Sequence, residues 1–470
     1  MLVCSIKEKK LSAILDKLKK IKKADLIELR FDALESLQID EIKKLKKQIS
    51  CPLIFTLRPK RQLGEYEKSE EERLEEIEKL LKLQPDFFDI ENDIDIATLI
   101  RWKKAFPKTK FILSYHSLSY PKNLDNLFQK MLQKDVYGYK IAVLPSSFDE
   151  VSSFYDFTKK HTKKHKLSAI TLGEKYLFFR LFRLANLFDY VAVDQPTAPG
   201  QLTYNEALSL YRLLDIDENT KFYALIGHPL DKSIGHIFHN QQFQKKGFSG
   251  VYVKISVLKD ELASFMRFVK EAPFYGFSIT SPLKEKAVQY ADVKDQDLPS
   301  INTLVKKDDI WEGYNTDVLA TKDLLNKLFL KDKKVAILGG GGAAKAIALA
   351  LKKEKAKISF FVRDIKKIQP FAQENDFSYF SLTEKVKEKF DVLINTIPVT
   401  DGLVINEELI HPQMYVMDIV WPGNSQTALI AYAKEKKCDI CDAIAFFYKQ
   451  AEYQQKLFLN EGKNRIDINK

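Results

Sequence analysis

A lysine stands inside an apolar, strand-like run in the first half of the chain. Lys140 is the second residue of Tyr139–Lys140–Ile141–Ala142–Val143, so an inward-facing side chain here places an amine among apolar neighbours. A desolvated amine is a suitable nucleophile toward a carbonyl carbon, with which it forms an imine. A buried ion pair is the alternative interpretation of the same residue. The sequence therefore predicts either covalent chemistry on a ketone or a structural salt bridge.

Four other polar residues end strand-like runs of the same half. They are Glu28, Arg30, Arg58 and His116. A histidine can accept and return a proton during catalysis, and the arginine fork suits carboxylates and other anions. Each of these residues alone would more often be a satisfied polar group. Together with Lys140 they predict an active site, provided that their strands are neighbours in one parallel sheet.

Short apolar runs alternate with amphipathic helical stretches over residues 1–215, which is the pattern of parallel βα units. Helical stretches follow the runs, the last of them at Tyr204–Leu214. Eight such units predict a (β/α)8 TIM barrel, in which the polar strand ends meet at one face. The predicted strands are Leu2–Ile6, Asp25–Phe31, Leu53–Arg58, Phe87–Glu91, Lys110–Tyr115, Gly138–Leu144, Leu167–Thr171 and Tyr190–Asp194.

A glycine-rich turn is the main signal of the second half. The strand-like run Lys334–Leu338 leads into Gly339–Gly342, and a helical stretch follows at Ala346–Leu351. Glycines let a pyrophosphate approach the backbone, and free N–H groups at the helix start face the anion. A tight βα turn without a ligand is the alternative. The flanking strand and helix favour a Rossmann lobe. Its predicted pyrophosphate site comprises Gly339, Gly341, Gly342 and Ala343.

The next strand indicates which dinucleotide binds. Ile358–Val362 leads into Arg363 rather than into the acid that would bind a free ribose, and Asp364 follows one residue later. Arg363, with Lys366 and Lys367 close behind, suits a 2′-phosphate. The sequence therefore predicts NADP rather than NAD as the cofactor, held in part by Arg363 and Lys367.

Composition limits the other classes of function. The chain has 470 residues, more than one hydrophobic core usually supports, with 45% apolar residues, 30% charged residues and a net charge of +11. Its lysines are spread over helical stretches without an aromatic stripe, which predicts solvated faces and no nucleic-acid partner. No apolar run approaches the roughly 20 residues of a membrane span, and no signal peptide is recognisable. We expect a cytoplasmic enzyme that acts on small molecules and binds no membrane. The sequence does not indicate its oligomeric state.

Cysteine usage predicts no metal or redox centre. Cys438 and Cys441 form a lone C-x-x-C, and the chain has only two further cysteines. A zinc site would need a second pair or histidines, and a redox site would need a thioredoxin-like surrounding. Neither is visible in the sequence, so buried structural cysteines are the expected role.

Six motifs follow one another along the first half. They are Ser5, Glu28-x-Arg30-x-Asp32, Thr56–Leu57–Arg58, Ser114–Tyr115–His116, Lys140–Ile141–Ala142 and Ala198–Pro199–Gly200–Gln201. In order and spacing they resemble type I 3-dehydroquinate dehydratase. The resemblance implies that Lys140 forms an imine with the substrate ketone and that His116 moves the protons. It also implies substrate binding by Ser5, Glu28, Arg30, Arg58, Arg180, Thr197 and Gln201, with the carboxylate at Arg180 and Gln201 and the ring hydroxyls at Glu28, Arg30 and Arg58.

Two features of this half depart from the family or leave a choice. Four residues after Arg58 the family commonly has a carboxylate that assists the histidine, whereas this chain has Gln62. Glu65 is a nearby acid that could replace it, and otherwise the histidine works with less help. Arg183 lies one helical turn after Arg180 and competes with it for the role at the substrate carboxylate.

A second series of motifs runs through residues 221–460. It comprises Ile226–Gly227–His228–Pro229, Ser233, His239–Asn240, Thr280-x-Pro282–Leu283–Lys284–Glu285, Ile301–Asn302–Thr303, Gly313–Tyr314–Asn315–Thr316–Asp317, Asn395–Thr396 and Gln450–Ala451. These motifs resemble shikimate dehydrogenase. The resemblance implies that Lys284 stabilises or protonates the substrate oxygen while Asp317 orients it. For this pair alone, a surface salt bridge would be the simpler interpretation.

The remaining residues of this series take binding roles by the same resemblance. Substrate would be held by Ser233, Thr280, Asn302 and Gln450, and cofactor by Asn395 and Thr396 besides the glycine-turn residues, Arg363 and Lys367. The family usually offers its substrate carboxylate two serines spaced S-x-S, but here Ser233 is followed by Ile234 and Gly235. One contact is lost, so Thr280 or a shifted backbone must contribute more. Ser278 likewise stands where many members have asparagine.

The two resemblances support each other because dehydration of 3-dehydroquinate gives 3-dehydroshikimate, the ketone that the second half would reduce. Predicted domains are the barrel at 1–215, a substrate-binding lobe at 221–325 completed by C-terminal helices at 442–470, and a Rossmann lobe at 326–441. Two alternatives remain. One is a quinate-directed dehydrogenase fusion, which the altered loop at Gly235 keeps open. The other is a sensor without catalysis, which retention of Lys140, His116, Lys284 and Asp317 disfavours.

Overall fold

The computed structural model describes residues 1–294, 298–421, 423 and 426–460. Contacts divide the chain into two compact units. The first holds Met1–Thr220 with Ala263–Ala272, and the second holds Lys221–Leu262 with the chain from Pro273 onward. The limits of the three predicted domains stay a prediction, because a division into two units does not test them.

Eight parallel strands form the sheet of the first unit, in the order β7-β6-β5-β4-β3-β2-β1-β8. The pairing of β1 with β8 curls the sheet into a barrel, so the predicted (β/α)8 fold is confirmed. Register places Ser5 opposite Glu28 and Lys140 opposite Ser114, which brings polar side chains of successive strands to one level. The strands are β1 Leu2–Lys7, β2 Leu26–Arg30, β3 Leu53–Thr56, β4 Phe87–Glu91, β5 Lys110–Ser117, β6 Gly138–Val143, β7 Leu167–Thr171 and β8 Asp189–Ala192.

Side chains bridge the seam between β7 and β8, where the described residues show no strand ladder. The Asn186 side chain accepts a hydrogen bond from the Ala169 N–H at 3.0 Å and donates to its carbonyl at 3.4 Å. Ser168 Oγ accepts from the Phe188 N–H at 2.9 Å. These bonds satisfy backbone groups at the strand edge that a ladder would otherwise pair.

Helices follow the strands, but the last one departs from the sequence prediction. The stretch Tyr204–Leu214, predicted as a helix, is a π-helical turn at Glu206–Leu210 followed by a 3-10 turn at Leu213–Asp215. Arg212, between the two turns, has a φ of +50°, which interrupts a right-handed helix. The regular helices are α1 Leu11–Leu18, α2 Ile39–Lys47, α3 Glu70–Leu81, α4 Ile96–Ala105, α5 Leu124–Leu132, α6 Phe148–Thr162 and α7 Phe178–Leu181.

Two sheets form the second unit. A mixed sheet runs in the order β10-β9-β11-β13-β14-β12, and a fully parallel sheet runs in the order β17-β16-β15-β18-β19-β20. The second order is that of a Rossmann lobe, with its switch point between β15 and β18. The strands are β9 Lys221–Gly227, β10 Gly250–Ser256, β11 Phe274–Ile279, β12 Val293–Lys294, β13 Thr303–Lys307, β14 Ile310–Tyr314, β15 Lys334–Leu338, β16 Lys357–Val362, β17 Ser378–Ser381, β18 Val392–Asn395, β19 Tyr415–Asp418 and β20 Asp439–Cys441.

The last helix joins the C-terminal segment to the mixed sheet. Tyr223 donates to the Phe458 carbonyl at 3.0 Å, and Ser278 donates to Gln454 at 2.9 Å. The C-terminal helices predicted at 442–470 are described only to residue 460, and residues 461–470 lie outside the described residues. No described helix has the length and apolar character that a bilayer crossing requires. The helices are α8 Gly235–Lys245, α9 Leu262–Val269, α10 Thr316–Leu325, α11 Gly342–Lys353, α12 Ile365–Glu374, α13 Ala428–Glu435 and α14 Ala443–Phe458.

Two candidate active sites

A cavity of about 80 Å³ opens at the carboxyl ends of the barrel strands. All of the predicted site residues of the first half line it. Gln62, Leu63, Ile170, Leu172, Tyr190, Ala198 and Pro199 complete its wall. The predicted residues that line it are Ser5, Glu28, Arg30, Arg58, His116, Lys140, Arg180, Thr197 and Gln201.

The amine of Lys140 lies among acidic and aromatic groups inside this cavity. Its Nζ is 3.3 Å from Asp89 Oδ2 and 3.7 Å from Glu28 Oε1. The ring centroid of Tyr190 lies 3.8 Å from the same nitrogen. The ion-pair and nucleophile interpretations of Lys140 are therefore compatible. The carboxylates hold the amine in place, and the same side chain lines a cavity that a substrate could enter.

Asp89 and Glu91 on β4 were missed by the sequence reasoning, although they alternate as acids in an otherwise apolar strand. Arg58 pairs with Asp89 at 2.8 Å and with Glu91 at 3.0 Å, and all three are buried. Arg73 on α3 binds the other oxygen of Glu91 at 2.7 Å. Burial raises the pKa of Asp89, but its charged and hydrogen-bonding neighbours, Arg58 and Lys140 foremost, hold that pKa below its usual value, so the carboxylate stays ionised. The network fixes Arg58 and places a negative charge beside Lys140.

The hydrogen bond that positions His116 is made by its backbone N–H and not by its ring. Its N–H donates to Gln62 Oε1 at 3.2 Å, and the Gln62 amide donates to Asn92 at 2.9 Å. The buried Nδ1 has no hydrogen-bond partner among the described residues. Burial, with the charges of Arg58, Lys140 and Arg30, holds the pKa of His116 well below its usual value. The imidazole is therefore neutral at physiological pH, which is the form that can accept a proton.

Glu65 does not take the place of the missing carboxylate. It forms an exposed ion pair with Lys7 at 2.7 Å, and its N–H donates to Asp32 at 3.1 Å. It is not among the residues that line the cavity. Of the alternatives that the sequence left, the structure favours a histidine that works with less help.

Arg180 offers a free positive charge to the cavity. Its Nε donates to the Thr171 carbonyl at 3.1 Å, and the salt bridges of the described residues give it no acidic partner. Burial lowers its pKa to about 9, as expected for a cation without a counterion. Arg183 instead pairs with Asp189 at 3.1 Å and donates to two backbone carbonyls. Arg180, not Arg183, is therefore placed to receive an anion.

Other side chains at the cavity are ordered by mutual hydrogen bonds. Arg30 binds Asp32 through two bonds of 2.8 and 2.7 Å. Ser5 donates to Glu28 at 2.6 Å, which leaves polar atoms of both strands at the cavity surface. Thr197 donates from its N–H and hydroxyl to Gln201 Oε1, at 2.9 and 2.7 Å. Since the Gln201 oxygen is occupied, its amide N–H groups are the part of this side chain that remains to bind an acceptor.

A larger cavity of about 400 Å³ lies in the second unit, between the mixed sheet, α8 and α14. Six predicted residues line it: Ser233, Thr280, Lys284, Asn302, Asp317 and Gln450. Lys284 Nζ is 2.6 Å from Asp317 Oδ2. Asp317 is buried in the first turn of α10, so this contact is not the surface salt bridge of the simpler interpretation.

Thr316 connects the other polar residues of this wall. Its N–H donates to Asn302 Oδ1 at 2.8 Å, and its hydroxyl donates to Gln450 Oε1 at 3.2 Å. Thr316 thereby links Asn302 and Gln450, which line the same cavity as the Lys284–Asp317 pair. The wall holds an ammonium, a carboxylate and two amides, a set suited to a polyhydroxylated substrate.

Trp421 was also missed by the sequence reasoning. It lines the larger cavity, and its buried Nε1–H has no hydrogen-bond partner among the described residues. A buried indole N–H usually finds an acceptor. No sequence signal pointed to it, because Trp421 lies in a loop after β19 whose course the strand pattern does not specify.

The glycine-rich turn joins β15 to α11 as predicted from the sequence. A Cβ at Gly341 would meet nothing within 4 Å, so the backbone is open to a ligand there. A Cβ at Gly342 would lie 2.9 Å from Ser300, and Gly339 has a φ of +105°. Gly342 is therefore required by the close approach of Ser300, and Gly339 is required by its backbone conformation. Ala343 follows Gly342 in the first turn of α11, whose free N–H groups can face an anion.

The other predicted cofactor residues divide into two groups. Arg363 is exposed just after β16 and has no hydrogen bond or ion pair with a described residue, while Lys367 contacts Asp364 at 3.5 Å. Asn395 instead donates to Asp418 at 3.0 Å, and the Thr396 hydroxyl donates to the Leu338 carbonyl at 2.7 Å. Asn395 and Thr396 thus order the turn after β18. Within the described residues, no group of His, Cys, Asp or Glu has the arrangement of a metal site.

Comparisons with known proteins match successive parts of the chain. Residues 2–218 match the family model of type I 3-dehydroquinase, and residues 225–304 match that of the shikimate dehydrogenase substrate binding domain. Residues 329–425 match the model of the NADPH-binding domain of acetohydroxy acid isomeroreductase. The shikimate biosynthesis protein AroDE of Chlamydia pneumoniae is 31% identical over 391 residues, covering 81% of this chain and 80% of the relative.

Two further matches cover most of the chain or its second half. The chloroplastic bifunctional 3-dehydroquinate dehydratase/shikimate dehydrogenase of Arabidopsis thaliana is 30% identical over 473 residues, covering 93% of this chain and 77% of the relative. Among solved structures, shikimate dehydrogenase from Aquifex aeolicus matches at 27% identity with a TM-score of 0.49, covering 54% of this chain and 97% of that one.

Proposed function

Because the chain belongs to the family of bifunctional 3-dehydroquinate dehydratase/shikimate dehydrogenases, we propose that Lys140 and His116 dehydrate 3-dehydroquinate and that Lys284 and Asp317 reduce the product. Both reactions belong to the shikimate pathway. The family assignment favours an enzyme over a sensor without catalysis. We propose that the barrel at 1–215 carries out the dehydration. The substrate-binding lobe at 221–325 with 442–470 and the Rossmann lobe at 326–441 carry out the reduction, and the matched ranges support this assignment.

Dehydration begins when Lys140 Nζ adds to the ring ketone. The N–C bond forms, the ketone oxygen leaves as water, and the nitrogen carries the positive charge of an iminium. His116 then takes a proton from the adjacent carbon, and the C–H electron pair moves toward the nitrogen to give an enamine. His116 returns its proton to the departing hydroxyl, which leaves as water, and hydrolysis of the iminium frees Lys140. Arg180 and Gln201 hold the substrate carboxylate meanwhile.

The observation that carries this proposal is the Lys140 amine, which lies in one small cavity with a neutral His116 and with Arg180, a cation that has no acidic partner among the described residues. Borohydride added with 3-dehydroquinate should reduce the iminium and attach the substrate skeleton to Lys140. Peptide mass spectrometry locates the adduct. A protein without an adduct but with full dehydratase activity would reject the imine mechanism.

Reduction needs a proton donor at the ketone oxygen of 3-dehydroshikimate. Bound NADPH supplies the hydride. Lys284 stabilises the charge that develops on the oxygen and protonates it, and Asp317, at 2.6 Å, orients the ammonium. Asn302 and Gln450 bind ring hydroxyls, and Ser233 and Thr280 bind the carboxylate. We include Trp421 among the residues that contact the substrate, because it lines this cavity and its buried indole N–H has no hydrogen-bond partner among the described residues.

Residues of the Rossmann lobe fit NADP. The open backbone at Gly341 and the start of α11 suit a pyrophosphate, with Gly339, Gly342 and Ala343 shaping the turn. Arg363 and Lys367 suit the 2′-phosphate, and Asn395 and Thr396 keep the turn after β18 in place for the cofactor. We expect Arg363→Ala to weaken NADPH binding by roughly 1.5–3 kcal/mol, the scale of a hydrogen bond to a charged group, with NADH nearly unaffected.

The control for Arg363 is Lys389→Ala, which removes a cation elsewhere in the same lobe. Dissociation constants for both cofactors, measured by fluorescence, provide the comparison. Equal losses for NADPH and NADH in Arg363→Ala, or an equal loss in the control, would mean that the phosphate lies elsewhere.

Gly235 leaves room for the second serine of the family pattern. A Cβ there would meet Ser233 Oγ at 3.5 Å and Tyr252 at 3.8 Å, which are ordinary contacts. We expect Gly235→Ser to lower KM for shikimate roughly tenfold, the effect of one added hydrogen bond to a carboxylate, with kcat little changed. Gly235→Ala is the matched control because it adds the Cβ without the hydroxyl. An equal effect of both substitutions would assign the change to backbone stiffness, and a gain for quinate alone would favour the quinate-directed alternative.

A further inference from the structure

The aromatic ring of Tyr190 lies against the nitrogen of Lys140. The distance of 3.8 Å from Nζ to the ring centroid is the shortest lysine–ring contact of the described residues, the next being 4.1 Å. Tyr190 stands on β8, is buried, and lines the same cavity as Lys140. Phe188 packs against it edge to face, with centroids 6.0 Å apart. The ring is therefore fixed in a position where its face covers the amine.

The hydroxyl of Tyr190 does not explain why this residue is present. It is buried without a hydrogen-bond partner among the described residues. Burial and the nearby charges of Asp89 and Glu28 raise the pKa of Tyr190 well above its ordinary value, so the phenol stays protonated and cannot act as a base. An unsatisfied buried hydroxyl costs stability. The aromatic face toward Lys140 is what an aliphatic residue of similar volume would lack.

We propose that the Tyr190 ring is a catalytic group of the dehydratase, which stabilises the positive charge on the Lys140 iminium. This inference rests on the proposed imine mechanism. When the N–C bond forms and water leaves, the charge remains on the nitrogen under the ring face, whose quadrupole attracts a cation. A neutral imine would gain nothing from the ring and would be a poor electron sink.

The ring has a property that its acidic neighbours lack. Asp89 lies 3.3 Å and Glu28 3.7 Å from the nitrogen, and each could accept the iminium proton. Part of the Asp89 charge is already engaged by Arg58 at 2.8 Å. The ring stabilises the cation without being a proton acceptor, so it favours the protonated imine that withdraws electrons from the neighbouring C–H bond.

Two substitutions in the full-length chain separate the ring from the hydroxyl. Tyr190→Phe keeps the ring face, and we expect the dehydratase turnover rate to stay within about twofold of the natural rate. Tyr190→Leu keeps apolar volume without the face, and we expect the turnover rate to fall roughly 30-fold, which corresponds to about 2 kcal/mol, with KM little changed. Borohydride trapping at Lys140 should fall in parallel in the leucine variant only.

Circular dichroism and the dehydrogenase activity of the same molecules report whether each variant is folded, and Tyr190→Met provides a second variant without a ring should Tyr190→Leu misfold. Natural turnover and trapping in the leucine or methionine variant would overturn the proposal. An equal loss in Tyr190→Phe would assign the role to the hydroxyl and overturn it as well. Absence of an adduct in the natural protein would be a different failure, since it would remove the imine mechanism itself.

Discussion

Lys140→Ala should slow the dehydration of 3-dehydroquinate by a factor of roughly 10³ or more, which corresponds to about 4 kcal/mol of lost barrier lowering. The cavity lining holds no other lysine among the described residues, so no second amine can form the imine. Reduction of supplied 3-dehydroshikimate should stay near its natural rate, because Lys284 and Asp317 belong to a different cavity. Separate assays of the two half-reactions measure both effects.

Two further variants make the Lys140 test specific. Lys140→Arg keeps a cation beside Asp89 and Glu28 but cannot form an imine, so it should be as inactive as the alanine variant. Lys130→Ala removes an exposed lysine of α5 and should leave both activities unchanged. Loss of both activities in a folded Lys140→Ala protein would contradict the account and would indicate a shared site or obligatory communication.

Lys284→Ala should slow ketone reduction by a factor of roughly 10² to 10⁴, the usual contribution of a positioned acid. The variant loses the proton donor and leaves the buried carboxylate of Asp317 without its 2.6 Å partner. Dehydration should continue at the natural rate. Reduction measured by nicotinamide absorbance, over a range of 3-dehydroshikimate concentrations, separates the effect on turnover from the effect on KM.

The matched control for Lys284 is Lys286→Ala, two residues along the chain, where the side chain makes a long bond of 3.4 Å to a backbone carbonyl. It should keep both activities. If the Lys284→Ala protein reduces its substrate at close to the natural rate, the prediction is contradicted. The Lys284–Asp317 pair would then be a structural salt bridge without a catalytic role.

Residues whose type and position at a strand end indicate their chemistry could be predicted from the sequence. Lys140 and His116 end up in one cavity because parallel strands bring their carboxyl ends together, and that topology followed from counting βα units. The glycine turn was recognisable because a strand and a helix flank it. Such signals are local, so a single sequence contains them.

What the sequence did not reveal depends on which groups meet in space. Asp89 is an acid in a buried strand, and its meaning follows only from the positions of Arg58 and Lys140 on two other segments of the barrel. The choice between Arg180 and Arg183 depended on which residue Asp189 engages. The helix predicted at Tyr204–Leu214 is interrupted at Arg212, because apolar spacing does not report the left-handed backbone there.

The central claim is that one chain carries out both reactions in sequence, and a coupled assay tests it most directly. The purified full-length protein receives 3-dehydroquinate and NADPH, without any other enzyme, and nicotinamide absorbance is followed. We predict loss of absorbance that requires both Lys140 and Lys284, and a mixture of Lys140→Ala with Lys284→Ala that regains it. If the protein reduces supplied 3-dehydroshikimate but leaves NADPH unconsumed when given 3-dehydroquinate, the two-step account is contradicted.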